Sequence, residues 1–167
     1  MLIARILLDH HEALEGLFAF VKGERDLTVG YIKELHAALL RHQDTFTVMD
    51  QFGRPFRKEL EKGSYKRLPN NPTRPDGSIH EYCPPEHVAS EMDRMVVLHQ
   101  QPTKGGVPPE VQAAWLHHTF TQIHPFDDGN GRVARALATL VFLKARLFTL
   151  VITRDDRRNY IEALETA

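Results

Sequence analysis

The chain is short of cysteine: Cys83 is the single one in 167 residues, so no internal disulfide can form. That fits a reducing compartment. Excess charge of either sign is also missing. Lys and Arg number 21, Asp and Glu 22, and the net charge is −1, so no global basic field points to nucleic acid or to a membrane surface. No apolar run approaches the ~20 residues of a membrane span. The opening stretch MLIARILLDHHEALEG is interrupted by Arg5 and Asp9 and has no small-residue cleavage site, so this stretch is not expected to be a signal peptide. A cytoplasmic protein with neither nucleic-acid nor membrane partners is expected. There are no internal repeats, no low-complexity linker and no G-x-x-x-x-G-K-[ST] signature, which disfavours a P-loop NTPase. What remains is a length that suits one domain with a real core.

What is present is mostly helical periodicity. Ile6, Leu7, Leu14, Leu17, Phe18 and Val21 recur at helical spacing before Gly23, which predicts a first helix that stops there. A second follows Thr28 as cap, with Ile32, Leu35 and Leu39 on one face. Residues 43–66 mix Gly, Pro and charge and read as loop with short helical pieces. Residues 66–83 contain the turn signal Pro75-Asp76-Gly77 between short extended flanks, which predicts a small β-hairpin, a flap. A third helix opens at Pro85, a fourth runs from Pro108 to Ile123, a fifth from Arg132 to Phe148, and a sixth starts near Arg154. The expectation is an all-α domain with one hairpin.

Between the fourth and fifth helices stands HPFDDGNGR, residues 124–132. A helix N-terminus presents free N–H groups and the positive dipole end, and so receives anions. Gly129 and Gly131 let the backbone turn and approach a ligand. Arg132 and Arg135 stand three apart and can reach the same side; two guanidinium forks beside several amides suit a polyphosphate. Asp128 offers one carboxylate, the way Mg²⁺ is commonly held beside phosphate oxygens and waters. His124 has the pKa range of a general base. Taken singly, each group is ordinary turn chemistry. Together within twelve residues they form a phosphate cradle, a metal ligand and a base, the equipment of phosphoryl or nucleotidyl transfer.

His124-Pro125-Phe126-Asp127-Asp128-Gly129-Asn130-Gly131-Arg132-Val133-Ala134-Arg135 resembles the Fic-domain signature, HPFx[D/E]GNGRxxR, with every specified position matched. The likeness extends to LTVGYIKELHAALL, GSIHEYCPP, AAWLHHTFTQIHPF and RRNYIEALE. It implies one Fic domain over residues 1–167: a helical bundle, a flap hairpin at about 66–83, and the signature loop with its helix at 124–146. It implies transfer of AMP from ATP to a Tyr, Thr or Ser hydroxyl of a target protein. By resemblance His124 is the base and Asp128 the Mg²⁺ ligand. Gly129, Asn130, Gly131 and Arg132 form the anion hole, and Arg135 pairs with the outer phosphates. Ile79, His80, Glu81 and Tyr82 match flap positions that register the target and cover the nucleotide, and Tyr160 matches an aromatic near the adenine. Doc-type kinases carry lysine where Gly131 stands, so glycine favours nucleotidyl over γ-phosphoryl transfer. Removal of AMP, other transfers at the same site, and a non-catalytic nucleotide-binding module are the alternatives.

The remaining polar residues read as structural. His117 falls on the apolar face of the fourth helix and is expected to be buried and hydrogen-bonded. His10, His11 and His118 have no zinc-ligand spacing, and Cys83 has no partner pattern of a nucleophile. Many family members carry an inhibitory helix, [S/T]xxxE[G/N]. Glu15-Gly16 offers its end, but His11 stands at the Ser/Thr position, so Glu15 is expected not to be the inhibitor. The sixth helix also stops where relatives continue. A catalytic fragment is expected, restrained by an inhibitory helix or antitoxin-like partner from elsewhere.

Overall fold

The computed structural model describes residues 2–22, 25–50, 52–74, 76–101, 106–153 and 155–166. Within them the elements are helices α1 (Leu2–Lys22) and α2 (Val29–Leu39), strands β1 (Thr45–Met49) and β2 (Pro55–Glu59), a 3-10 turn (Pro85–His87), and helices α3 (Val88–Gln100), α4 (Pro109–Ile123), α5 (Asn130–Lys144) and α6 (Arg157–Thr166). Gly23, Pro75 and Arg154, named above as a stop, a turn residue and a helix start, lie outside the described residues.

Helix α5 is the axis of the domain. Its buried residues run around the whole cylinder, from Asn130 and Val133 to Leu140 and Val141, the pattern of a helix with neighbours on every side. It packs on α4, α1 and α2, while α3 packs on α4 and α2. The stripes facing it come from Ala13, Leu17 and Phe20 of α1, Ile32, Leu35 and Leu39 of α2, and Leu116, Phe120 and Ile123 of α4. Each fully buried Leu, Ile or Phe contributes about 1.5–3 kcal/mol. Thr28 caps α2, its Oγ1 accepting from the Tyr31 N–H at 3.1 Å. The fifth helix ends earlier than its periodicity predicts, at Lys144, because Arg146 adopts a left-handed φ of 60° and turns the chain.

The two-stranded ladder lies at residues 45–59, a segment expected to be loop with short helical pieces. Strand β1 pairs antiparallel with β2, from Thr45 opposite Glu59 to Met49 opposite Pro55. Here TFTVM is rich in β-branched and aromatic residues, and Pro55 sits at the first position of its strand, where its missing N–H is tolerated. The Asp50 carboxylate closes the connection by accepting from the Phe52 and Arg54 N–H groups, both at 2.8 Å. Among the described residues of the flap segment, Thr73 and Ile79 form an antiparallel bridge around a tight turn in which the Arg74 N–H donates to the Ser78 carbonyl at 2.7 Å. The predicted turn forms there, but Pro69 and Pro72 cannot donate to a ladder.

Candidate active site

Helix α4 ends on His124, whose backbone is left-handed at φ 49° and ψ 57°. This turns the imidazole back so that Nδ1–H donates to the Thr121 carbonyl at 3.2 Å. With that proton committed, Nε2 is left as the acceptor. Burial pushes the His124 pKa down to about 4, helped by the charges of Lys66 and His80, while the Thr121 carbonyl and Asp128 pull the other way. The ring is neutral at pH 7 and ready to accept a proton. Tyr82 of the flap stacks on it, ring centroids 3.8 Å apart and 11° from parallel.

The turn that follows is pinned from several directions. The Asn130 side chain is buried and works inward: its Oδ1 accepts from the Phe126 N–H at 2.9 Å and its Nδ2 donates to the Phe126 carbonyl at 2.7 Å. Asn70 donates to that same carbonyl at 2.9 Å, and the Lys66 N–H donates to the Pro125 carbonyl at 2.8 Å. From the other side His36 Nε2–H donates to the Asp128 carbonyl at 3.0 Å, while His36 Nδ1 accepts from the Gly63 N–H at 2.8 Å. Burial holds the His36 pKa down at about 4, so this strut is uncharged. Gly129 caps α5 with φ 80°, and a Cβ there would lie 2.6 Å from Leu40 Cδ1. Glycine is required at this position on both counts.

Past Gly129 the first-turn N–H groups of Asn130 and Gly131 have no acceptor among the described residues. They stand at the N-terminus of a 15-residue helix, an anion site by geometry and dipole. The Asp128 carboxylate takes the Gly129 N–H on Oδ1 and the Gln43 amide on Oδ2, both at 2.6 Å. Arg132 Nη2 donates to Gln43 Oε1 at 2.6 Å and lies 3.7 Å from Asp128 Oδ2.

A cavity of about 390 Å³ opens beside this helix end, in the size range of small-ligand sites. It brings together His124, Gly131, Arg135, His80, Tyr82 and Tyr160 of the expected residues, with Thr73 and Arg74 of the flap turn beside them. Arg74 donates to His80 Nδ1 at 2.7 Å, and His80 meets the Tyr82 ring edge-on. Tyr160 lines the cavity, but its hydroxyl is hydrogen-bonded to His117 Nε2 at 2.8 Å. His117 is buried on α4 and its pKa is lowered to about 4, first by burial and then by Arg135. Asp128 lies instead on a neighbouring cleft of about 500 Å³ with Gln43, Thr45, Arg57 and Asp127. Ile79 and Glu81 are exposed and line neither. Glu15 is exposed on α1, and its ion pair is with His11 at 3.6 Å.

Asp128 suits a hard divalent cation: its carboxylate is 41% exposed and a pure oxygen donor. Among the described residues no group of three His, Cys, Asp or Glu could hold a metal, so a cation here needs further oxygens from phosphate and water, the habit of Mg²⁺. Sequence reasoning missed Gln43, His36, Lys66 and Asn70. Only His36 left a signal, a histidine set on the apolar face beside Leu35.

Solved structures carry the same fold. A Fic domain containing signaling protein from Bacteroides thetaiotaomicron matches with a TM-score of 0.81 and 30% identity, over 96% of this chain and 55% of that one. Fic-1 from C. elegans matches with a TM-score of 0.72 at 22% identity, over 94% of this chain and 41% of that one. The family model described as the Fic/DOC family matches residues 26–142, and the chain belongs to that family. Its relatives include a Fido domain-containing protein of Dictyostelium discoideum, 40% identical over 88 residues, and the protein adenylyltransferase Fic of Nematostella vectensis, 28% identical over 96% of this chain. The chain spans 61% of the first relative's length and 35% of the second's. Among the described residues no helix is long and apolar enough to cross a membrane.

Proposed function

We propose that this chain transfers AMP from ATP to a Tyr, Thr or Ser hydroxyl of a target protein and releases pyrophosphate. The observation that carries the reading is the placement of His124: a neutral imidazole whose Nδ1–H is tied to Thr121, with Nε2 left as acceptor, on the cavity that Gly131 and Arg135 also line. Relatives named protein adenylyltransferases support it.

The target hydroxyl gives its proton to His124 Nε2 as its oxygen bonds to the α-phosphorus. The bond from that phosphorus to the bridging oxygen breaks, and pyrophosphate departs with the bond's electron pair. The Arg135 guanidinium lines the cavity, and the free N–H groups of Asn130 and Gly131 mark the helix end beside it, where charge would build on the phosphates; Arg132, held on Gln43 and near Asp128, would meet them from the neighbouring side. Asp128 would hold Mg²⁺; when bound, the cation neutralises phosphate oxygens. A base with a pKa near 4 is weak, but polyphosphate charge beside His124 raises it toward the range useful at neutral pH. Gly131 supports AMP rather than γ-phosphoryl transfer: a Cβ there would lie 3.3 Å from Arg135 Nη1, so a longer side chain would crowd that guanidinium. The flap turn at Thr73–Ile79 is the docking edge for the target chain.

The test is incubation with α-labelled ATP, Mg²⁺ and a cell lysate, comparing the wild type with His124→Ala. Protein-bound label should fall by about 10²-fold or more in the variant. Equal labelling of both sinks the mechanism, and label arriving only from γ-labelled ATP makes the chain a kinase.

A further inference from the structure

Gln43 sits between α2 and β1, half-buried, and touches two charged groups at once. Its Nε2 donates to Asp128 Oδ2 at 2.6 Å and its Oε1 accepts from Arg132 Nη2 at 2.6 Å. Nε2 also reaches the Thr45 carbonyl at 3.4 Å, and the Gln43 N–H donates to the Leu40 carbonyl at 2.9 Å. The side chain is therefore anchored at its root to the end of α2 and at its tip to the first strand of the hairpin. The same stretch holds the signature loop twice more, through His36 on the Asp128 carbonyl and Leu40 against Gly129.

The proposed reaction needs Asp128 and Arg132 for different partners, the cation and the phosphates. They lie on one face of the α5 start, four residues apart and 3.7 Å from each other. Opposite charges so close, partly shielded from water, favour a direct bidentate pair. Such a pair would remove the carboxylate from the cation and the guanidinium from the phosphates. A primary amide is suited to prevent this, since it gives a proton to the carboxylate, accepts one from the guanidinium, and adds no charge. Glutamate in its place would set a second carboxylate against Asp128, and an apolar residue would leave both charges to each other.

We infer that Gln43 is a positioning residue, a neutral spacer that keeps the Asp128–Arg132 ion pair open at 3.7 Å, short of a direct bidentate contact, and so holds both groups available to a metal–nucleotide complex. The inference rests on the reading of the site given above. It also gives the hairpin a consequence for the chemistry, because Thr45 of β1 shares the spacer's amide.

Calorimetric titration of a non-hydrolysable ATP analogue, in Mg²⁺ and in EDTA, tests it on the wild type, Gln43→Met and Gln43→Glu, with AMP transfer measured alongside. Methionine keeps the volume, so the melting temperature without nucleotide should stay within a few degrees of wild type, which separates positioning from folding. Affinity in Mg²⁺ should fall by about 10-fold or more in Gln43→Met, the usual loss when a partner of a metal ligand is removed, and further in Gln43→Glu. The loss in EDTA should be smaller, and KM for ATP should rise more than kcat falls. Affinity within twofold of wild type in Mg²⁺, or an equal loss in EDTA, overturns the spacer. Transfer by the wild type with Gln43→Met indistinguishable leaves the enzyme reading standing and removes the spacer. Binding that depends on Gln43 with no AMP transfer does the reverse, and a wild type that neither binds nor transfers ends both.

Discussion

The signature loop and the flap face the same cavity, yet they are held in opposite ways. The loop is pinned at Pro125, Phe126, Asp128 and Gly129 by residues from α2, from the 66–70 segment and from its own helix. Among its described residues the flap has one bridged pair, Thr73 with Ile79, and its Ile79 and Glu81 are exposed. Charge stabilisation requires donors fixed before the substrate arrives, whereas recognition of another chain requires an edge that is still open. In the function proposed above, the first task falls to the most constrained segment and the second to the flap.

Acid should break the constrained side first. His36, His117 and His124 are all held near pKa 4 by burial, against 6.5 in the unfolded chain. Between those values the unfolded chain takes up protons that the folded one refuses, so stability is fully present above about pH 6.5 and is lost as pH falls toward 4. By pH 5 each histidine costs about 2 kcal/mol. Urea unfolding at pH 7 and pH 5 measures this, and His36→Asn should remove about 2 kcal/mol of the difference. A protein equally stable at both pH values would show that the struts are not neutral.

The next largest effect belongs to Gly129→Ala. Alanine at φ 80° is strained, and its Cβ would lie 2.6 Å from Leu40 Cδ1. Left-handed strain of about 1–2 kcal/mol and overpacking of about 1–3 kcal/mol together predict a loss near 3 kcal/mol. The double variant with Leu40→Ala separates the two causes, since it relieves the clash but not the strain. If the single variant melts like wild type, the loop is less constrained than the comparison holds.

The difference between the regions also explains what the sequence made legible. The loop's chemistry is local: base, carboxylate, glycines and arginines fall within twelve residues, and a helix start orders them. The supports are remote. His36, Gln43 and Asn70 reach the loop across 92, 85 and 56 residues of chain, and no periodicity records such a contact. The tight turn at Arg74–Ser78 was readable from Asp76 and Gly77, but the strand ladder at 45–59 reads as loop. The ladder's own connection, DQFGR, mixes glycine and charge in the manner of a plain loop, which hid the alternation of TFTVM before it.

On the open side, Ile79→Ala should barely touch the fold. The residue is 61% exposed, so stability should change by less than about 0.5 kcal/mol. If the flap edge takes up the target, labelling of that protein should weaken several-fold through KM, with nucleotide affinity unchanged. Unaltered labelling would place target recognition elsewhere, and the exposed hairpin face of Phe52 and Phe56 would be the next region to probe.

The smallest effect is expected at Glu15→Gly. In the proposed reading, an inhibitory glutamate would act by pairing with the arginine that would hold the outer phosphates, Arg135. Glu15 instead pairs with His11 on its own helix, both side chains 70% exposed. Arg135 does approach α1, but through a cavity of about 210 Å³ that it shares with His10, Ala13 and Leu14 rather than with Glu15. Removing the carboxylate therefore frees nothing at the nucleotide site. Glycine in an exposed helix costs about 1 kcal/mol, so melting should drop by a few degrees while AMP transfer per folded molecule stays at the wild-type rate. A many-fold rise in transfer would mean that α1 itself restrains the site and that Glu15 swings to Arg135 when ATP is absent.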